Sequence, residues 1–327
     1  MSEGSPIPRT VRLALAGDTM LGRGVAEALA VEDPRSLVAP ELAELMRDAD
    51  VTLVNLECCV SERGEPNRLP GKPFFFRAPP AACDLLGHLG VDCVSVANNH
   101  ALDFGEVALL DTFRHLSGAG IDCVGAGPDL DRARAPVRVT VDGVRLAVVG
   151  FTDHPAAFAA TPDRPGVAHV DLRSGDGIAP WMTAPAGPDT ILVVTPHWGP
   201  NMLAEPLPEV RAAAARLVDA GATLVAGHSA HVFQGVQRPV LYDLGDFLDD
   251  YAVDADLRND LGLLFLVDVD AAGPRRLEAV PLRLDYCRTG PAEGDDARWI
   301  ARRFRRACRA FGEDVAEEDG RLVLTWG

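Results

Sequence analysis

The chain has 327 residues, 47% hydrophobic and 24% charged, and its 31 basic against 48 acidic residues give a formal net charge of −17. Evenly spread apolar content excludes disorder as the main state, and an acidic surface with no basic stripe excludes duplex nucleic acid as a partner. No run approaches the roughly 20 apolar residues that cross a bilayer, and the N-terminal MSEGSPIPRT has no apolar signal region. A cytoplasmic protein without a membrane anchor is therefore expected.

Residues 1–10 read as a flexible N-terminus and 11–327 as one domain. The run VRLALAG (11–17) predicts a buried strand ending in a Gly-Asp turn. DVTLVNLE (50–57) and DCVSVANNH (92–100) repeat that shape, each after a helical stretch, and 106–120 has helical spacing with a glycine stop. Continuously apolar strands alternating with helices point to an α/β sheet covered by helices. At 137–152 two β-rich runs flank Asp142-Gly143, a two-residue hairpin signal. Strands are expected at 190–199, 223–231, 239–247, 261–270 and 275–284, with helices at 209–221 and 295–311. Residues 251–327 thus supply C-terminal strands and a closing helix. The stretches 155–188 and 285–293 read as surface loops.

The seven cysteines, Cys58, Cys59, Cys83, Cys93, Cys123, Cys287 and Cys308, are odd in number and lack a Cys-x-x-Cys pair. They read as small buried hydrophobes, not a disulfide framework or a zinc site, with Cys58-Cys59 set apart by following Glu57.

Chemistry-bearing residues recur where the predicted strands end: Asp18, Glu57, Asn98-Asn99-His100, His197, then His228 and His231. Open α/β sheets place ligand sites at such ends. Singly, each has a structural explanation: a turn aspartate, turn asparagines, a core histidine beside Trp198. Their recurrence in order is what points to a site. Carboxylates, an amide oxygen and imidazoles suit a divalent metal such as Zn, Mn or Fe, and their number suits two ions bridged by one carboxylate.

The series AGDTMLGR (16–23), VNLE (54–57), ANNHALDFG (97–105), TPHWG (195–199), GHSAH (227–231) and YDLGDF (242–247) resembles the CapA family. These are poly-γ-glutamate capsule-biosynthesis-type proteins, a branch of the calcineurin-like metallophosphoesterases. The resemblance implies a four-layer α-β-β-α sandwich of two mixed sheets with a two-metal site. Carried over by position, it puts Asp18 and His231 on one ion, Asn99, His197 and His228 on the other, and Glu57 between them. It also carries departures. Thr19-Met20 follows Asp18 without the histidine of the wider superfamily, and Glu57 replaces a bridging aspartate. Asp246 stands where asparagine is usual.

With metal bound, the residues suggest hydrolysis of a small phosphate ester or anhydride. His100 is the candidate general acid, with Asp103 three residues on to hold its ring. Arg23 and Arg77 are candidate clamps for an anionic substrate, since guanidinium binds phosphate and carboxylate bidentately, with a surface ion pair as the equal alternative for each. His154 reads as loop surface, with lining of the pocket as the alternative, and His88, His115 and His169 as structural. Two other functions compete: amide chemistry on glutamyl-type compounds, and a non-catalytic subunit of a polyglutamate-type synthesis system. No G-x-x-x-x-G-K-[ST] loop is present, so ATP-driven ligation would need a partner.

Overall fold

Unbroken apolar runs become strands buried on both faces. Val11–Thr19 is buried at eight of its nine positions and Val51–Leu56 at all six. The structure, a computed structural model, describes residues 10–173 and 178–326; the tail expected over 1–10 lies, except for Thr10, outside them.

The fold is α/β, with two mixed sheets. In a ten-stranded sheet Val11–Thr19 runs parallel to Val51–Leu56, followed by Cys93–Ser95 and Asp122–Val124. Its other edge pairs antiparallel with Leu261–Asp270, which pairs in turn with Gly273–Asp285. Residues beyond 251 therefore complete the same sheet as the N-terminal strand. In a six-stranded sheet Val137–Val141 and Val144–Thr152 form the expected hairpin, Val141 facing Val144 across Asp142-Gly143. Thr190–His197, Leu224–Ala226 and Val240–Leu241 add parallel strands.

Alternation along the strands sorts their side chains into separate cores. Leu13, Leu15, Leu53 and Phe265 of the larger sheet share one core with Leu146, Val148, Ile191 and Leu224 of the smaller. Ala14, Ala16 and Val54 point the other way, against Leu42, Met46, Leu85 and Leu109 from helices. Ala147, Val149 and Leu192 likewise meet Ala213, Ala214 and Leu217 of the helix Pro208–Asp219. Among the described residues no helix is long and apolar enough to cross a membrane.

Three expected strands are shorter, and the difference matters for the site. The third parallel strand ends at Ser95 and that of 223–231 at Ala226, leaving their polar ends as loops. The run 239–247 is not one strand. Val240–Leu241 belongs to the smaller sheet and Asp246–Leu248 to the larger, with Gly245 between them at φ +76. The crossing lays Asp246 beside Asp18 in parallel register. It requires glycine at 17, because a Cβ there would sit 1.8 Å from the Gly245 carbonyl oxygen.

Candidate metal centre

The parallel strand ends and the crossing segment converge on Asp18. Its carboxylate belongs to two triads whose ligating atoms lie within 4.8 Å of one another: Asp18, His197 and His228, and Asp18, His231 and Asp246, all buried. His197 ends its strand and His228 follows the neighbouring one, bringing their Nδ1 atoms to 2.9 Å. The other nitrogen of His228 lies 3.1 Å from the Thr195 hydroxyl, which fixes the ring. His231 Nδ1 is 2.8 Å from Asp246 Oδ1 and 3.1 Å from Asp18 Oδ2. The loop holding these histidines is strained: Ser229 has φ 121 and His231 φ 57, values uncommon outside glycine. Asp243 holds it in place, accepting from the backbone N–H groups of Ala230 and Gly245.

Electrostatics divide the site in two. Burial would lower His231, but the Asp246 and Glu57 charges and its hydrogen bonds raise it well above the ordinary histidine value. Burial, then the charge of Asp18, pushes Glu57 up to about 8. Burial would raise Asp18 too, but His231 and His228 hold it below the usual carboxylate value. On the other side burial lowers His228 to about 4, and burial with the His228 charge brings His197 down well below its ordinary value. Neutral imidazole is the metal-binding form.

The side chains present fit a divalent cation. Glu57 Oε1, Asn99 Oδ1, His197 Nε2 and Asp246 Oδ2 are buried without a hydrogen bond, and Asp18 Oδ2 has only its 3.1 Å contact with His231. Each such orphan costs about 1–3 kcal/mol, and Asp18, His197 and Asp246, which carry three of these atoms, belong to the two triads, where a cation would offset that cost. The donor set is oxygen and imidazole. No cysteine belongs to either triad. All seven cysteines are free.

The remaining sequence candidates fall at different places. Glu57 accepts from the Tyr251 hydroxyl at 3.0 Å and lies 3.9 Å from His231. His100 Nδ1 is 2.6 Å from Asp103, its ring stacked on Phe76. Burial brings His100 down to about 4 in spite of Asp103. Asn98 is structural, donating to Asn55 and to the Leu56 carbonyl, whereas Asn99 lines a cavity of about 540 Å3. His154 also lines that cavity, its ring 5.2 Å from His197, so it is not mere loop surface. The two arginines are engaged elsewhere. Arg23 pairs with Asp250 and packs over Phe74, Phe76 and Tyr251. Arg77 donates to the carbonyls of Arg63 and Gly64 and covers Phe104. The arginine that lines the cavity is Arg173.

Sequence reasoning noted Asp246 only as a departure from the family pattern and missed Asp243 and Lys72. Lys72, the chain's one lysine, is 9% exposed and lies 2.9 Å from Asp103, 2.7 Å from the Asn99 carbonyl and 3.3 Å from His100 Nδ1. Its singularity in an arginine-rich chain was the available signal, since a compact ammonium is not interchangeable with guanidinium.

The model of the family described as "Bacterial capsule synthesis protein PGA_cap" matches residues 12–251, which include every residue of both triads. The chain belongs to the PGA_cap family. A "Probable polyglutamine synthesis accessory protein" of Mycobacterium tuberculosis is 34% identical, the match covering 97% of this chain and 96% of the relative. "Capsule biosynthesis protein CapA" of Bacillus anthracis is 30% identical over 73% of this chain and 59% of its own length. Among solved structures, a 5'-nucleotidase precursor from Thermus thermophilus aligns over 84% of this PGA_cap chain and 54% of its own, at 17% identity and a TM-score of 0.44. An overlap that loose carries no argument about chemistry. Family membership rests on sequence, and the site of this PGA_cap protein on its own geometry.

Proposed function

We propose that this chain is a metal-dependent hydrolase of a small phosphate ester or related anhydride, on a four-layer α-β-β-α sandwich of metallophosphoesterase type. The supporting observation is the pair of buried triads that share Asp18, two of whose side chains, His197 and Asp246, carry buried acceptor atoms without hydrogen bonds. Asp18, His231 and Asp246 would hold one divalent ion, and Asp18, His197, His228 and Asn99 a second, with Glu57 between them. Bound Mn, Zn or Fe would lower the pKa of a water and neutralise charge on phosphoryl oxygens.

The chain's own residues do the rest. Thr195 orients His228, and Tyr251 fixes one oxygen of Glu57, leaving the other free to ligate. Asp103 engages His100 at Nδ1, which leaves Nε2 for proton exchange; because burial keeps the ring neutral, Nε2 would take up a proton before passing it to a departing oxygen. The cavity at Asn99 and His154 would admit the substrate; Arg173 lines it together with Asp153, Asp171 and Glu209, so charge on an anionic substrate would be neutralised chiefly by bound metal. Phosphate release from p-nitrophenyl phosphate and from nucleotides, with Mn or Zn supplied, tests the proposal. Release should stop on chelation and in His228→Ala; no release from any ester by metal-loaded protein would overturn it.

A second function is supported by the printed names of the relatives, which place those proteins in capsule and polyglutamine synthesis. In that case the same centre serves amide chemistry on glutamyl compounds, or the chain is a non-catalytic subunit. Release of amine in place of phosphate would favour the amide chemistry. Metal binding without any turnover would favour the subunit.

A further inference from the structure

The closing helix Gly294–Arg309 buries one stripe, Ile300, Ala301, Phe304 and Cys308. Trp299, Arg302, Arg303 and Arg306 recur three or four residues apart, so they are neighbours on another face. Two adjoining cavities lie along that face. One of about 420 Å3 is lined by Arg211, Arg303, Arg306 and Phe311 among others; one of about 360 Å3 by Trp299, Arg302, Arg303 and Arg306. Arg303 and Arg306 line both, which makes them one groove.

The charge balance of this groove runs against the rest of the molecule. Its walls carry four arginines and two carboxylates, Glu205 and Asp256, in a chain of net charge −17. Arginines close by are paired: Arg298 with Asp295, Arg305 with Glu317, and Arg258 with Asp260 and Asp296. Among the described residues no carboxylate lies within ion-pairing distance of Arg211, Arg302, Arg303 or Arg306. Like charges at i,i+3 and i,i+4 repel, so the cluster is destabilising unless an anion joins it.

Arg303 is the fixed point. Its guanidinium donates to the carbonyls of Leu257 and Phe233 and lies over the Phe233 and Trp299 rings, at 4.9 and 5.3 Å. Burial, then the Arg306 charge, brings it down to about 10, which leaves it cationic at neutral pH. Arg211, in the first turn of the helix Pro208–Asp219, faces it across the larger cavity and packs over Phe311. A guanidinium held by neutral carbonyls and rings keeps its charge available to a ligand.

We propose that this groove binds a small oligoanion carrying two or more phosphate or carboxylate groups, with Arg211, Arg302, Arg303 and Arg306 as its cationic lining. One anionic group fits between Arg211, Arg303 and Arg306, and a second beside Arg302. The site is separate from the candidate metal centre and does not depend on the function proposed for it.

The test is calorimetric titration of the full, metal-loaded chain at low ionic strength with tripolyphosphate and, separately, with propane-1,2,3-tricarboxylate. Saturable binding of at least one is expected, and the one that binds identifies the ligand's acidic groups. Arg302→Gln combined with Arg306→Gln alters only exposed side chains and should weaken binding roughly tenfold or more. His228→Ala should leave it unchanged. Absence of saturable binding by either anion, or equal binding by the double variant, would overturn the proposal. So would binding lost in His228→Ala, which would place the anion at the metal centre.

Discussion

Gly17→Ala addresses the crossing on which the candidate metal centre depends. A Cβ at position 17 would lie 1.8 Å from the Gly245 carbonyl oxygen and 2.9 Å from its carbon, both backbone atoms. Reaching 3.0 Å, the least that real Cβ atoms show, means opening the gap by 3.0 − 1.8 = 1.2 Å. No rotamer change can supply that. The movement breaks the hydrogen bond from the Asp18 N–H to the Gly245 carbonyl, 2.9 Å long, and draws Asp246 away from Asp18. Overpacking costs about 1–3 kcal/mol and the lost hydrogen bond about 1, so a destabilisation of about 2–4 kcal/mol is expected. Urea unfolding measures the loss, and elemental analysis of the same sample measures the metal, which should fall as well. Gly87→Ala is the control, at an exposed helical site with nothing within 4 Å of a new Cβ. Helix propensity predicts a gain of up to about 1 kcal/mol there. A Gly17→Ala chain that unfolds at the wild-type urea concentration with its metal intact would refute the close approach.

Substitutions elsewhere should separate ligand, support and fold. His228→Ala, Asp246→Ala and Asn99→Ala should each lower bound metal in elemental analysis, whereas His115→Ala should not. Equal metal in all four would remove the ligand assignment. Lys72→Met should weaken metal affinity by roughly tenfold in equilibrium dialysis, because it frees the Asn99 carbonyl and leaves Asp103 without its cation. An unchanged affinity would show that Lys72 does not position Asn99. Glu278 concerns stability alone. Burial would raise its carboxyl, but Arg321, Arg276 and Arg12 outweigh burial and bring it down to about 2. A depressed carboxylate adds stability that is complete above its unfolded value near 4.5 and is lost as pH falls through the folded one. The full shift corresponds to about 3 kcal/mol, and screening by solvent at the partly exposed arginines leaves about 1–2. Glu278→Gln should therefore lower urea stability at pH 7 by about that much, with roughly half of the difference gone by pH 3. A difference independent of pH would contradict the assignment.

Four of the expected residues, Asp18, His197, His228 and His231, fall in the triads, and each sits where a short apolar run ends. Sheet pairing then brings those ends together: the register that sets Ala14 beside Thr52 and Val54 beside Val94 aligns the strands carrying Asp18, Glu57 and Asn99. The Asp142-Gly143 hairpin was legible for a local reason, since Asp142 at φ 46 and Gly143 at φ 87 adopt the turn those residues favour. Asp246 was not. Residues 239–247 look like one apolar strand, and only tertiary packing shows that Gly245 turns the chain from one sheet to the other. Roles for Arg23 and Arg77 were expected from guanidinium chemistry alone. Asp250 and the carbonyls of Arg63 and Gly64 engage them through contacts distant in sequence, which no local pattern reveals. Lys72 lies in a proline-flanked loop without periodicity, and only the fold brings it to Asp103.

The most direct measurement of the central claim is elemental analysis of the purified chain after incubation with Mn or Zn and removal of free metal. Two triads sharing Asp18 predict close to two ions per chain, falling in His228→Ala. A chain that retains no metal would contradict the metal centre itself.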